Sequence, residues 1–147
     1  MAKSTIIFGS IVLPDRILEG TIKIENGSII KITETKTPER NAINYQGKYI
    51  LPGLIEVHGH MREPGMTQKG DVPHETRAAA AGGFTTVIDM PNTNPPTTTV
   101  ALLDDKINKI YKNRSFVDYA FFFGVAKDHL SEIEKVDKNK IVGLKLF

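Results

Sequence analysis

The sequence predicts an α/β chain with a parallel sheet, entered through a short β-rich segment. Three observations predict it. Residues 1–53 show period-two alternation and an Asn-Gly turn. Residues 54–147 alternate apolar strand-like runs with segments of helical period. Gly and Pro signals separate the runs. Repeated β–α units imply parallel strands with helices packed outside them, and either an open doubly wound sheet or a barrel satisfies that pattern.

In the first segment, residues 21–25 (Thr-Ile-Lys-Ile-Glu) alternate, Asn26-Gly27 follows, and residues 28–32 (Ser-Ile-Ile-Lys-Ile) form a second run. Asn-Gly between such runs predicts a hairpin, because both turn residues must accept positive φ. Residues 33–44 are polar and read as a loop. Residues 49–53 then lead into a new element.

From residue 54 the texture changes. Residues 54–60 read as a strand. Residues 71–81 read as a helix with Asp71 as N-cap, Pro73 in the first turn and an alanine run, stopped by Gly82-Gly83. Residues 84–90 form a buried strand and 91–96 a loop. Thr98 or Thr99 caps a helix whose residues Val100, Leu103, Ile107, Ile110 and Tyr111 share one face. Residues 116–124 form a third strand. Leu130, Ile133 and Val136 mark a short third helix, and residues 141–147 a fourth strand. Four such units, ending on an apolar Leu-Phe, predict the first half of an eight-unit barrel, since a complete one runs to about 250 residues. The expected domains are 1–53, a β-strand segment of a sandwich, and 54–147, four β/α units of a truncated barrel.

The 147-residue chain carries a net charge of +2 and has 40% hydrophobic and 24% charged residues, as expected of a soluble globular protein. It shows no basic stripe with interleaved aromatics, so nucleic-acid binding is not expected. There is no cysteine, which excludes disulfides and thiolate metal sites and fits a reducing cytoplasm. The N-terminal apolar run is too short for a signal peptide, and no run approaches the roughly 20 residues of a membrane helix.

The most telling stretch is the strand-like run that carries His58 and His60. Two residues apart on a strand, both imidazoles point to one face. Paired neutral imidazoles at a strand end, before a Pro-Gly turn, suit a divalent metal such as zinc. In isolation His-x-His is weak; after a buried strand and before Arg-Glu-Pro-Gly it is informative.

The run Pro52-Gly-Leu-Ile-Glu-Val-His-Gly-His-Met-Arg-Glu-Pro-Gly65 resembles the signature of the dihydroorotases, in the cyclic-amide branch of the amidohydrolase superfamily. The resemblance continues through Thr76-Arg-Ala-Ala-Ala-Ala-Gly-Gly-Phe-Thr-Thr-Val-Ile-Asp-Met-Pro-Asn-Thr-Asn-Pro-Pro96, and returns at Val117-Asp-Tyr-Ala-Phe121 and Gly143-Leu-Lys-Leu-Phe147. It covers residues 50–147. The first 49 residues match only the family's general N-terminal strand segment.

The resemblance implies a metal-dependent (β/α)8 barrel with two zinc ions. His58 and His60 match the first ligands, and Lys145 matches a lysine carboxylated by CO2 that bridges both metals. Arg62 and Asn92 match the residues that hold the substrate carboxylate. Further histidine ligands and the catalytic aspartate are expected beyond residue 147, so the chain alone is expected to be inactive. The implied reaction is reversible hydrolysis of L-dihydroorotate to N-carbamoyl-L-aspartate in pyrimidine synthesis. Homo-oligomerisation and association with aspartate transcarbamoylase are the partnerships implied. Three departures stand out: Glu56 for the usual aspartate, Gly59 for a branched residue, and Gly70 for an acidic one. None touches a proposed ligand.

Each assignment has a plainer reading. Lys145 between Leu144 and Leu146 can snorkel from a strand end. Arg62 can be a surface charge, although its planar fork suits a carboxylate. Asn92 can serve only its turn. His74 and His129 read as solvated helix residues, Asp71 as a cap, and Asp89 as a residue without a catalytic role. The alternatives in function are another cyclic amidase (allantoinase or dihydropyrimidinase/hydantoinase) and a non-catalytic partner of aspartate transcarbamoylase. The retained His58, His60 and Lys145 argue against the latter.

Overall fold

The computed structural model describes residues 4–147, which form two compact units divided between Pro52 and Gly53. The first holds β1 (Ser4–Val12), β2 (Ile17–Glu25), β3 (Ser28–Glu34) and β4 (Ile43–Ile50) in one sheet of order β3-β2-β1-β4. Pairings β1–β2 and β2–β3 are antiparallel, whereas β1–β4 is parallel. The β2–β3 hairpin turns on Asn26 and Gly27, with φ of 50° and 82°, as the dipeptide predicts. Ile11, Leu18 and Ile22 are buried at its centre, with Ile7, Ile24 and Ile50 against them. Strand β4 lies partly in the stretch expected as loop. Its sequence alternates Ile43, Tyr45 and Tyr49 with Asn44, Gln46 and Lys48, but Gly47 interrupts the run and nearly all of it is exposed, so its first half merges with the polar stretch before it.

The second unit is a four-stranded parallel sheet, β5 (Leu54–Gly59), β6 (Phe84–Asp89), β7 (Asp118–Gly124) and β8 (Gly143–Lys145), in the order β5-β6-β7-β8. Its helices are α1 (Val72–Ala81), α2 (Val100–Asp105) and α3 (Leu130–Lys135). A doubly wound sheet reverses its strand order at a switch point. This sheet adds each new strand beside the last, as a barrel does, and so settles between the two parallel architectures in favour of half of a barrel wall.

The caps fall as expected. The Asp71 carboxylate accepts the His74 backbone N–H at 2.9 Å, and Thr99 accepts that of Leu102 at 3.3 Å. The core gathers Met61, Val72, Val87, Leu103, Tyr111, Phe121, Phe123 and Val136 between sheet and helices. Three elements differ from expectation. The helix expected to reach Tyr111 as one α segment gives way after Asp105 to a π-helical turn, Lys106–Tyr111. The third strand starts at Asp118 rather than 116. The fourth is confined to Gly143–Lys145, because only Phe122, Phe123 and Gly124 pair with it.

Candidate functional site

Strand β5 delivers His58 and His60 to the C-terminal end of the sheet. Their ring centroids stand 5.4 Å apart at an interplanar angle of 51°. Two imidazole nitrogens at about 2.1 Å from one tetrahedral zinc would place their ring centres about 5 Å apart, so the pair fits such an ion. It supplies two nitrogen donors. Among the described residues no group of three or more His, Cys, Asp or Glu side chains is assembled at ligand spacing.

The turn after β5 is held from below by buried polar groups. Asp89, closing β6, is fully buried, and its Oδ1 accepts the Met61 backbone N–H at 3.0 Å. Its Oδ2 accepts the Tyr111 hydroxyl at 2.7 Å and pairs with the Lys106 ammonium at 2.7 Å. Lys106 also donates to the Met90 carbonyl at 3.2 Å and lies 5.7 Å from the centre of the Phe121 ring. Both ends of the ion pair are 1% exposed, so every polar atom must be matched, and each is. Burial, and then the Asp89 charge, hold the Tyr111 phenol far above its ordinary pKa.

Arg62 adopts φ of 67°, a left-handed backbone that costs a non-glycine residue about 1–2 kcal/mol. The neighbours on both sides fix it. Met61 is tied to Asp89. Glu63 receives Arg114 through two bonds of 2.8 and 3.1 Å and accepts the Val72 N–H, the first of helix α1, at 3.0 Å. That bidentate bond raises the Arg114 pKa further. The Arg62 carbonyl accepts the Met66 N–H at 3.1 Å. Gly65, at φ of 77°, passes so close to the Asn94 carbonyl that no side chain fits there.

Asn92 follows β6 in a loop closed on itself. Both Thr93 and Thr97 donate their backbone N–H groups to Pro91 at 2.9 Å, and Asn94 donates to Pro64 at 3.1 Å. Asn92 Oδ1 lies 2.7 Å from His60 Nδ1. The proposed substrate residue thus also touches a proposed metal ligand, a link that sequence spacing does not reveal.

Lys145 ends β8, opposite Gly124, at the same C-terminal end of the parallel sheet. Its ammonium lies 5.7 Å from the Phe147 ring centre. The described contacts therefore bring together His58, His60 and Asn92, with Arg62 two residues on, and leave Lys145 at the far edge of the sheet.

Two details revise the sequence reading. Glu56 does touch a proposed ligand, because its Oε1 accepts the His58 backbone N–H at 2.9 Å. His129 is half-buried, with Nδ1 2.8 Å from the Thr98 hydroxyl. His74 is 76% exposed, as expected, and pairs with Asp71 at 2.7 Å. At Gly59, a β-carbon would stand 2.7 Å from the Met61 methyl group, so Met61 fills the space a branched residue would take. A concavity of 530 Å³ lined by Phe84, Ser115 and Phe116 lies at the N-terminal ends of β6 and β7, away from the imidazoles. Among the described residues, no helix is long and apolar enough to cross a membrane.

The model of a family described as dihydro-orotase-like matches residues 47–129. A dihydroorotase of Pyrococcus abyssi is 39% identical over 126 residues, which are 82% of this chain and 30% of that one. An allantoinase of Arabidopsis thaliana is 35% identical over 147 residues, covering 93% of this chain and 29% of its own length. Among solved structures, the L-hydantoinase (dihydropyrimidinase) from Arthrobacter aurescens matches with a TM-score of 0.85 and 30% identity, over 98% of this chain and 32% of that one. The chain thus spans about a third, or less, of these relatives.

Proposed function

Because this chain belongs to the dihydro-orotase-like family of cyclic amidohydrolases, we propose that it supplies the first strands of a zinc-dependent dihydroorotase. The reaction interconverts L-dihydroorotate and N-carbamoyl-L-aspartate. In the hydrolytic direction water adds to the ring amide carbonyl, the C–N bond breaks, and a proton passes to the leaving nitrogen.

The observation that carries this reading is the grouping at the β5 end: two imidazoles 5.4 Å apart and, two residues later, an arginine in a backbone conformation that its neighbours enforce. Strain of that kind persists where the surroundings over-determine it, and it gathers at ligand sites. His58 and His60 would hold the metal. A zinc ion held there supplies a Lewis acid for the carbonyl and lowers the pKa of the attacking water. Lys145, once carboxylated, would be a further ligand of the same centre; its place at the C-terminal end of β8 supports this. Arg62 would fork onto the ring carboxylate, with the Asn92 amide donating beside it, so that the scissile amide faces the metal side of the site.

The ring carboxylate separates this reading from its rival. Allantoin and the dihydropyrimidine rings carry no carboxylate on the ring, so an arginine clamp has nothing to grip. The similarity to a hydantoinase and to an allantoinase keeps that rival in the test. In a protein of the relatives' full length carrying this sequence, kcat/KM for dihydroorotate should exceed that for allantoin and hydantoin. Arg62→Ala should lower it by about 10- to 100-fold, chiefly through KM, as expected for a lost charged hydrogen bond. An unchanged affinity for dihydroorotate would end the carboxylate assignment.

A further inference from the structure

We propose that Asn92 is also a positioning residue for His60: its Oδ1 accepts the Nδ1–H and so keeps Nε2 bare and aimed at the metal. The inference rests on the reading of His60 as a ligand and adds a role for Asn92 beyond the substrate carboxylate.

A neutral imidazole has one N–H and one bare nitrogen, and only the bare one binds a cation. Which nitrogen is bare is set by the hydrogen bond the other makes. Here Asn92 Oδ1 stands 2.7 Å from His60 Nδ1. An amide oxygen can only accept, so the proton belongs on Nδ1.

Both partners are anchored from behind. Asn92 sits between Pro91, whose carbonyl collects two N–H groups, and Thr93, whose hydroxyl donates to the Pro95 carbonyl at 2.9 Å. His60 is followed by Met61, whose N–H is tied to the buried Asp89 carboxylate. Neither group needs to be ordered when a cation arrives. The Nδ2 group of Asn92 remains free of this bond and carries two N–H donors. One side chain can then orient a ligand through its oxygen and meet a substrate carboxylate through its nitrogen.

His58 is the internal control. It contacts Glu56 through its backbone N–H, and its ring lacks a hydrogen-bond partner among the described residues.

Nitrogen-15 NMR of the metal-free chain reads the proton position on each histidine. His60 should carry its proton on Nδ1. Asn92→Ala should shift His60 toward the Nε2–H form, which free imidazole favours in histidine, and leave His58 unchanged. Asn92→Asp, which keeps an acceptor, should preserve the Nδ1–H form. Zinc titration of the same variants in a protein of the relatives' full length should show a loss of about 10- to 100-fold in affinity for Asn92→Ala and a smaller one for Asn92→Asp. An Nε2–H form in the unsubstituted chain, or a His60 signature indifferent to Asn92→Ala, would overturn the proposal. So would the expected proton position with zinc affinity unmoved by Asn92→Ala. Failure of the unsubstituted protein of full length to bind zinc, with the proton on Nδ1, would instead overturn the metal reading on which this one rests.

Discussion

Among single residues, Asp89, Lys106 and Tyr111 show what a buried charge requires. The Lys106–Asp89 pair is 1% exposed at both ends, so removing one partner strands the other without solvent. Lys106→Met should therefore cost about 3–5 kcal/mol in urea denaturation. Adding Asp89→Asn should restore part of the loss, because the charge left behind is then gone. Tyr111 gives a signature in alkali. Its phenol pKa is raised in the fold, first by burial and then by the Asp89 charge, so the stability it contributes is full below the ordinary value of 10.0. That stability is lost as the pH rises above that value, because the unfolded chain ionises first. Spectrophotometric titration should show Tyr111 ionising only together with unfolding. Tyr111→Phe should therefore leave the phenolate signal of the folded protein undiminished. Of these residues the sequence exposed only part. His58, His60, Arg62 and Asn92 could be nominated because each lies in a short motif with fixed spacing. Asp89 was visible as a carboxylate closing an apolar strand, but its partner was not. The available signal was Lys106, three residues after Leu103 and so on the apolar stripe of the next helix, where a cation needs a counter-charge.

At the level of elements, the π turn explains why both Lys106 and Tyr111 reach one carboxylate. In an α-helix residues five apart point about 140° away from each other. The i→i+5 pattern, with the Lys112 N–H bonded to the Ile107 carbonyl at 3.0 Å, brings the two side chains onto one side. Hydrophobic spacing alone cannot separate this turn from α-helix, since Ile107, Ile110 and Tyr111 satisfy the apolar face in either form. Inserting one alanine after exposed Asn108 should set Lys106 and Tyr111 six residues apart, about 120° away from each other on an α-helix, and carry Tyr111 off Asp89. The loss should be at least the 1.5–3 kcal/mol or so of a hydrogen bond to a charged group, read by chemical denaturation. The insertion should also return Tyr111 to ordinary phenol titration. A variant as stable as the parent would mean that the spacing set by the π turn is incidental. Element types elsewhere were legible from caps and turns. Asp71, Thr99 and Asn26-Gly27 act through local bonds, which the sequence carries in full.

For the molecule as a whole, the sheet of the second unit has two open margins, β5 and β8. Ile55 and Val57 on β5 are 56% and 61% exposed, and Leu144 and Phe147 at the other margin are 47% and 74% exposed. Unpaired strand edges rich in apolar side chains recruit further strands. Sedimentation velocity should show association that increases with concentration, and the double substitution Ile55→Lys, Val57→Lys should suppress it. Association insensitive to those changes would place the contact elsewhere. The parallel class of this sheet was legible from the alternation of strand and helix. Its consecutive order was not fixed by that alternation, which a doubly wound sheet also satisfies; it followed from the barrel expectation, and the observed order bears that out. That order also bears on how the chain is made. The widest pairing within the sheet, Thr86 with Asp118, spans 118 − 86 = 32 residues. Each strand therefore meets its partner soon after leaving the ribosome, and the wall can grow in step with translation, from its first stave to its last.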